Sequence, residues 1–334
     1  MNNTIKKAIQ IFVSIGVAAA LLGYIFSIVD FNVLLAELAK ANYYWIGLSI
    51  FISLISHFAR GLRWNLLLEP LNFKANPFHA VQAVLAGYLA NYALPRAGEV
   101  VRCSLLKKTD NVPINVSLGT VITERIVDVA AMGLIFGLSF MLEFSRLKDF
   151  IANFFGTKFQ SISDSLLNNF ILLIVIGLMF GLALFFIYQA REKLLKNTFI
   201  LKIYEFIVGL VAGVMSITKM KKSGLFIFYT VVIWGGYFLM TYVIFFAIDD
   251  TANLPFQSGL VVLALASLGM VAPVQGGIGV YHIMVATGLL IYGIPQDKGF
   301  IVATILHTSQ FLTVLVFGGI SFIMAMLSSK KKEN

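Results

Sequence analysis

The chain alternates between long apolar runs and short polar stretches. A helix needs about 20 predominantly apolar residues to span a bilayer. Six runs approach or exceed that length, at about 8–29, 43–68, 113–141, 168–189, 225–248 and 299–327. Two further apolar segments, about 77–108 and 256–294, are broken near their middles. In the first, Pro95 lacks an N–H and disfavours helix at Leu94, so the helix is expected to stop there and restart at Arg96. In the second, the break runs from Pro273 to Gly279 and repeats the Pro-x-x-Gly order. Each half is too short to cross alone, so both segments are expected to be re-entrant. The alternative is that each Pro-Gly pair marks an ordinary kink in a spanning helix.

The polar stretches separate these runs. Asp30, Glu37 and Lys40 read as a loop, and Tyr43, Tyr44 and Trp45 suit a lipid–water interface. His57, Arg60 and Arg63 fall in the last turns of the second span, and 143–167 reads as a mixed loop. Residues 190–224 form a basic connection with one amphipathic stretch near 203–217, of the kind that lies on a membrane surface. Lys6 and Lys7 before the first run resemble a signal peptide, but that run is too long for a signal core and is read as a spanning helix.

Lysine and arginine placement gives the orientation. If both broken segments are re-entrant, 18 of the 25 basic residues fall on one face and 5 on the other. The positive-inside rule then puts both termini in the cytoplasm. The layout divides into two units, about 8–141 and 168–327, within a single transmembrane domain covering 1–334. Each unit holds three full crossings, an odd number, so the second is expected to be inverted relative to the first. Inverted repeats with discontinuous helices are a transporter architecture.

Composition agrees with an all-α polytopic membrane protein: 59% of residues are hydrophobic and 12% charged, against about 25% charged in ordinary soluble chains. The formal charge of +9 would suggest a nucleic-acid partner in a soluble protein. Here the basic residues flank apolar spans, so topology explains them and no nucleic acid is expected. The single cysteine, Cys103, excludes an internal disulfide and a multi-cysteine metal site.

Charge within hydrocarbon costs roughly 2.5–3.5 kcal/mol per group even on the lenient insertion scale, which singles out a few residues. Glu124 and Asp128 share a helix face at i, i+4, and Arg125 reaches Asp128 at i, i+3. Arg96, Glu99 and Arg102 follow the first break at i, i+3 and i+6, so Glu99 can neighbour either arginine. Together these six balance to zero charge. They either line a polar cavity or form a self-neutralising network that fixes helix packing. Guanidinium forks suit phosphate, and a half-helix starting at Arg96 would add free N–H groups for an anion. In the second break, Gln275, Gly276, Gly277 and Gly279 are expected to expose backbone N–H groups. His282 and His307 lie nearby and leave proton coupling open. No Lys-Ser/Thr follows the glycines, and no ligand spacing suggests a metal or another cofactor.

The stretches Leu94-Pro95-Arg96-Ala97-Gly98-Glu99 with Arg102, Glu124-Arg125 with Asp128, and Pro273-Val274-Gln275-Gly276-Gly277-Ile278-Gly279 resemble the lysylphosphatidylglycerol synthase transmembrane-region family. In its bifunctional members this membrane region is implicated in moving aminoacylated phosphatidylglycerol between leaflets, while a soluble C-terminal domain performs the aminoacyl transfer. The sequence stops at Asn334, just past the last apolar run, so the resemblance implies a lipid translocase-like module and not a synthase. Many relatives carry Glu where this chain has His282 and Arg where it has His307. If the two positions touch, an ion pair has become a His–His pair and the substrate need not be the aminoacylated lipid.

The expected function is therefore flippase-like movement of a phospholipid or lipid-linked phosphate in the cell (inner) membrane. Arg96, Arg102 and Arg125 would hold the headgroup, with Glu99, Glu124 and Asp128 as counter-charges, and Arg96→Ala would abolish transport without affecting insertion. The alternatives are an intramembrane enzyme on an isoprenoid pyrophosphate, a small-solute transporter, or a partner of a cell-envelope enzyme. A homodimer is a further possible assembly.

Overall fold

The computed structural model describes residues 31–94, 96–148, 220–272 and 274–330, with Gly23 and Val208 as isolated positions. Apart from those two positions, the spans expected at 8–29 and 168–189 and the surface stretch at 203–217 lie outside the described residues. Among the described residues the ordered elements are helices. They are α1 Phe31–Lys40, α2 Tyr43–Leu68, α3 Pro77–Ala93, α4 Gly98–Asp110, α5 Ile114–Leu142, α6 Ser223–Phe245, α7 Phe256–Val271, α8 Val280–Leu290 and α9 Gln296–Thr313. A π-turn over Val314–Gly318 carries α9 into α10, Gly319–Lys330. The protein is an all-α polytopic membrane protein. Tyr43–Leu71, Ile114–Leu142, Ser223–Phe245 and Gln296–Ser328 are each long and apolar enough to cross a bilayer.

Local chemistry sets these boundaries. The side chain of Asn42 accepts from the Tyr44 N–H to open α2, and that of Asn76 accepts from the Phe78 N–H to open α3, where Pro77 gives up no bond in the first turn. Leu94 is extended (φ −141, ψ 125), as a residue before proline prefers. Two expectations need correction. Phe31–Lys40 is a helix and not a loop; its Glu37 accepts an ion pair from Lys298 at 2.9 Å, fastening it to α9. The restart after the first break is not at Arg96. Arg96 sits in the left-handed region (φ 61), and α4 begins at Gly98.

Each broken segment folds back as an antiparallel hairpin. In the first, α3 and α4 approach closely where Gly87 faces Gly98, and Gly98 N–H donates to the Asn91 side chain at 2.7 Å. The base is closed by Asp110, which accepts from the Asn76 N–H and lies 2.9 Å from His79 Nδ1. In the second, Gly269 of α7 faces Tyr281 and Val262 faces Gly288 of α8. Small residues at such contacts let backbones approach where no hydrophobic force acts between helices.

The packing is reciprocal. The first hairpin lies against the π-turn and α10, where Gly318 meets Leu85 and Leu89 of α3, and the second lies against α5 through α7. The long helices α2 and α6 pack against each other where Gly236 admits Ser56. Three apolar cores result among the described residues. Trp64, Leu67, Leu106 and Val121 centre one, Phe245, Val262, Leu289 and Phe300 another, and Ile135, Phe238, Leu263 and Ala264 form a smaller third.

Candidate functional site

The charged residues inside the spans converge on one place. Arg60 and Arg63, one turn apart on α2, face Glu124 and Asp128, one turn apart on α5. Arg60 Nη1 lies 3.1 Å from Glu124 and 2.8 Å from Asp128, and Arg63 Nη2 lies 3.2 Å and 2.7 Å from the same two carboxylates. Arg63 also donates to Thr230 Oγ1 of α6 at 3.2 Å, tying a third helix in. From α4, Arg102 Nη2 reaches 2.9 Å from Glu124 Oε2. That contact is off line for a hydrogen bond, so both atoms keep unmet capacity. Glu124 and the Arg63 side chain have no solvent exposure, and Arg60 and Arg102 are buried.

Burying ions costs several kcal/mol each unless geometry and hydrogen bonds compensate. Five such groups, Asp128 included, in a small volume require one another. Aromatic faces supply further stabilisation: the Arg102 guanidinium stands 4.8 Å from the Trp64 ring centre, Arg63 5.5 Å from Phe226 and Arg60 5.8 Å from Tyr237. Trp64 is itself held by its Nε1–H on Thr120 Oγ1 at 3.0 Å.

At the edge of this cluster, half-exposed Arg125 pairs with Glu99 at 2.7 Å and lies 3.9 Å from Asp128. The pair forms part of the wall of a cavity of about 630 Å³, otherwise lined by Leu118, Val121, Ile122, Ile126 and Val129. From Leu118 to Val129 is about 16 Å along α5. An apolar groove thus runs beside a buried group of guanidiniums, separated from it by one ion pair.

The sequence-derived cluster needs three corrections. Glu99 pairs with Arg125 across two helices, and with neither Arg96 nor Arg102 along its own. Arg96 is not among the network's partners: it is exposed and donates to the Val271 carbonyl at 3.5 Å. Arg60 and Arg63, read as flanking charges of the second span, are buried central members. The balance therefore changes. Arg60, Arg63, Arg102 and Arg125 stand against Glu99, Glu124 and Asp128, one positive charge in excess among the described residues. Removing Arg60, Arg63 and Arg102 from the face count leaves 15 basic residues against 5, still strongly asymmetric.

A second group forms at the tip of the second hairpin. His282 and His307 do touch, with ring centres 4.9 Å apart, and Tyr281 and Tyr92 complete the cluster around His307. His307 Nε2 lies 2.8 Å from the Gly276 carbonyl. A carbonyl only accepts, so this nitrogen carries the hydrogen. The Gly279 N–H points at His282 Nδ1 at 3.4 Å, which assigns the lone pair there. Both histidines thus hold the tip backbone. The expectation of exposed N–H groups meets partners instead at two places, because Gly277 N–H bonds Val274 O and Gly279 N–H is taken by His282. Gln275 and Gly277 lie in the short 3₁₀ turn between the half-helices. Gly276 (φ 57) lies against the Tyr92 ring, so the two hairpin tips meet.

The fold and these charges define a helical membrane protein in which two interrupted hairpins touch beside a buried arginine cluster. The chain belongs to the lysylphosphatidylglycerol synthase TM region family, whose pattern matches residues 11–318. A UPF0104 membrane protein of Pyrococcus horikoshii is 24% identical over 303 residues, which cover 84% of this chain and 87% of that protein. No solved structure matches. The family takes its name from the membrane region of a lipid synthase, which connects the chain with a lipid-related role in the membrane.

Proposed function

We propose that this chain moves a phospholipid or lipid-linked phosphate between leaflets of the cell membrane, with both termini cytoplasmic. One observation carries the reading: buried guanidiniums with an unbalanced positive charge lie one ion pair away from an apolar groove. Arginine forks bind phosphate bidentately and strongly in a dry site, and the groove provides room for a chain. Glu99, Glu124 and Asp128 hold the arginines in place until a headgroup displaces them. The hairpins are re-entrant and belong to two inverted units, a reading supported by the reciprocal packing and the touching tips. Alternating access then comes from one hairpin moving against the other.

The test is leaflet exchange in liposomes holding the purified full-length protein, followed by loss of signal when a membrane-impermeant reagent reaches labelled headgroups. Exchange of a phospholipid or polyprenyl phosphate well above protein-free liposomes is expected. No acceleration for any lipid tested would reject the proposal, and release of phosphate from a polyprenyl pyrophosphate would move the assignment to an enzyme.

A further inference from the structure

We infer that the lipid taken by this site is a phosphodiester with a single net negative charge, in preference to a zwitterionic phospholipid or a pyrophosphate-linked lipid. The inference rests on the lipid reading above and narrows it. Its first support is charge. Among the described residues, Arg60, Arg63 and Arg102 face only Glu124 and Asp128 in the buried part of the cluster, and adding the Arg125–Glu99 pair leaves the same excess of one. An uncompensated buried charge is costly, and a monoanion cancels it. A zwitterion leaves the excess in place, and a pyrophosphate reverses its sign.

The second support is unused donors. Among the described residues, Nε of Arg60, Arg63 and Arg102 are buried without a hydrogen-bond acceptor, and Nη2 of Arg102 has only its off-line contact with Glu124 Oε2. Nε and Nη2 form one edge of the Arg102 fork, the edge that takes two phosphate oxygens side by side. Buried donors of this kind are expensive unless satisfied, and a phosphodiester brings two free oxygens with one charge. The third support is access. Arg125 is the half-exposed member of the cluster and faces the groove, so a headgroup arriving from lipid meets it first and reaches Arg102 by displacing Glu99.

Trp64 provides the reporter, because the Arg102 guanidinium lies over its ring. The chain has three tryptophans, so W45F and W234F leave emission from Trp64 alone. The full-length protein in detergent is titrated with phosphatidylglycerol, phosphatidylcholine or a polyprenyl pyrophosphate, and bound lipid is counted independently by native mass spectrometry. Phosphatidylglycerol should half-saturate at about tenfold lower concentration than either competitor, the scale of one unscreened charge in a partly buried site. Arg125→Gln sets the count to zero and should remove the preference over phosphatidylcholine. Glu99→Gln raises it to two and should move the preference towards the pyrophosphate. Equal half-saturation by phosphatidylglycerol and phosphatidylcholine, or a ranking unchanged in both variants, overturns the inference. Leaflet exchange without charge ranking removes this inference and leaves translocation standing; charge-ranked binding without exchange does the reverse.

Discussion

The ring of Tyr92, in the last turn of α3, covers Gly276 at the tip of the opposite hairpin. A β-carbon at Gly276 would occupy the place of the ring, and its φ of 57 is one that residues other than glycine rarely adopt. Gly276→Ala should therefore force the tips apart. We expect it to be inserted and purified normally but to lose most lipid exchange, whereas Tyr92→Leu, which leaves room at the seam, should retain more. Wild-type exchange by Gly276→Ala would remove the tip contact from the mechanism.

Arg63 and Arg102 contact the same carboxylate and should behave differently. Arg63 joins α2 to α5 and α6 with no exposure. Removing one member of such a buried set costs about 3–5 kcal/mol, so Arg63→Ala should lower the melting temperature sharply or prevent purification. Arg102 makes one off-line ion contact, to Glu124, and stands over the Trp64 ring. Arg102→Gln should stay folded by thermal melt and size-exclusion chromatography and lose lipid exchange. Equal destabilisation of both would make the cluster a packing device.

Arg96 separates side chain from backbone. Its left-handed conformation costs roughly 1–2 kcal/mol for a residue with a β-carbon, and its side chain makes one long hydrogen bond to Val271 O. Arg96→Gly should raise stability by a fraction of that cost, and Arg96→Ala should not. Both should reduce exchange by less than Arg102→Gln does, in contrast to the complete loss expected from sequence. Complete loss of exchange in both would make the Arg96 charge essential to the headgroup path.

Orientation can be checked with cysteines, since Cys103 is the sole one in the sequence and is buried. In a Cys103→Ser background, Lys298→Cys should react with an impermeant thiol reagent added outside the cell, and Lys107→Cys should react only after permeabilisation. The opposite pattern would reverse the proposed topology.

Much of this fold was legible because apolar run length and proline placement are local signals. Tyr43–Leu68, Pro77–Ala93 and Ile114–Leu142 fall within a residue or two of the expected bounds, the last two where Pro77, Pro95 and Pro113 mark breaks. Phe31–Lys40 escaped because it is short and carries Glu37 and Lys40 near its end, a pattern that reads as a polar connection until Lys298 is seen holding it. At the site, the pairing of charges was hidden. Arg125 had a partner in reach along its own helix, Asp128, yet its short contact is with Glu99 on another. Arg60 and Arg63 did carry a signal. Two basic residues at i, i+3 in one apolar helix match two acidic residues at i, i+4 in another, and hydrocarbon leaves such sets little choice but each other.

The way the first hairpin leans on the π-turn and α10 has a consequence for biosynthesis. A ribosome delivering this chain from its start must insert α3 and α4 well before the π-turn and α10 that flank Leu85 and Leu89 exist. The nascent first hairpin therefore waits with one side bare, and a chain cut short of Gln296 would leave it so. Such fragments should be poor candidates for rescue as separately expressed halves and ready substrates for membrane quality-control proteases.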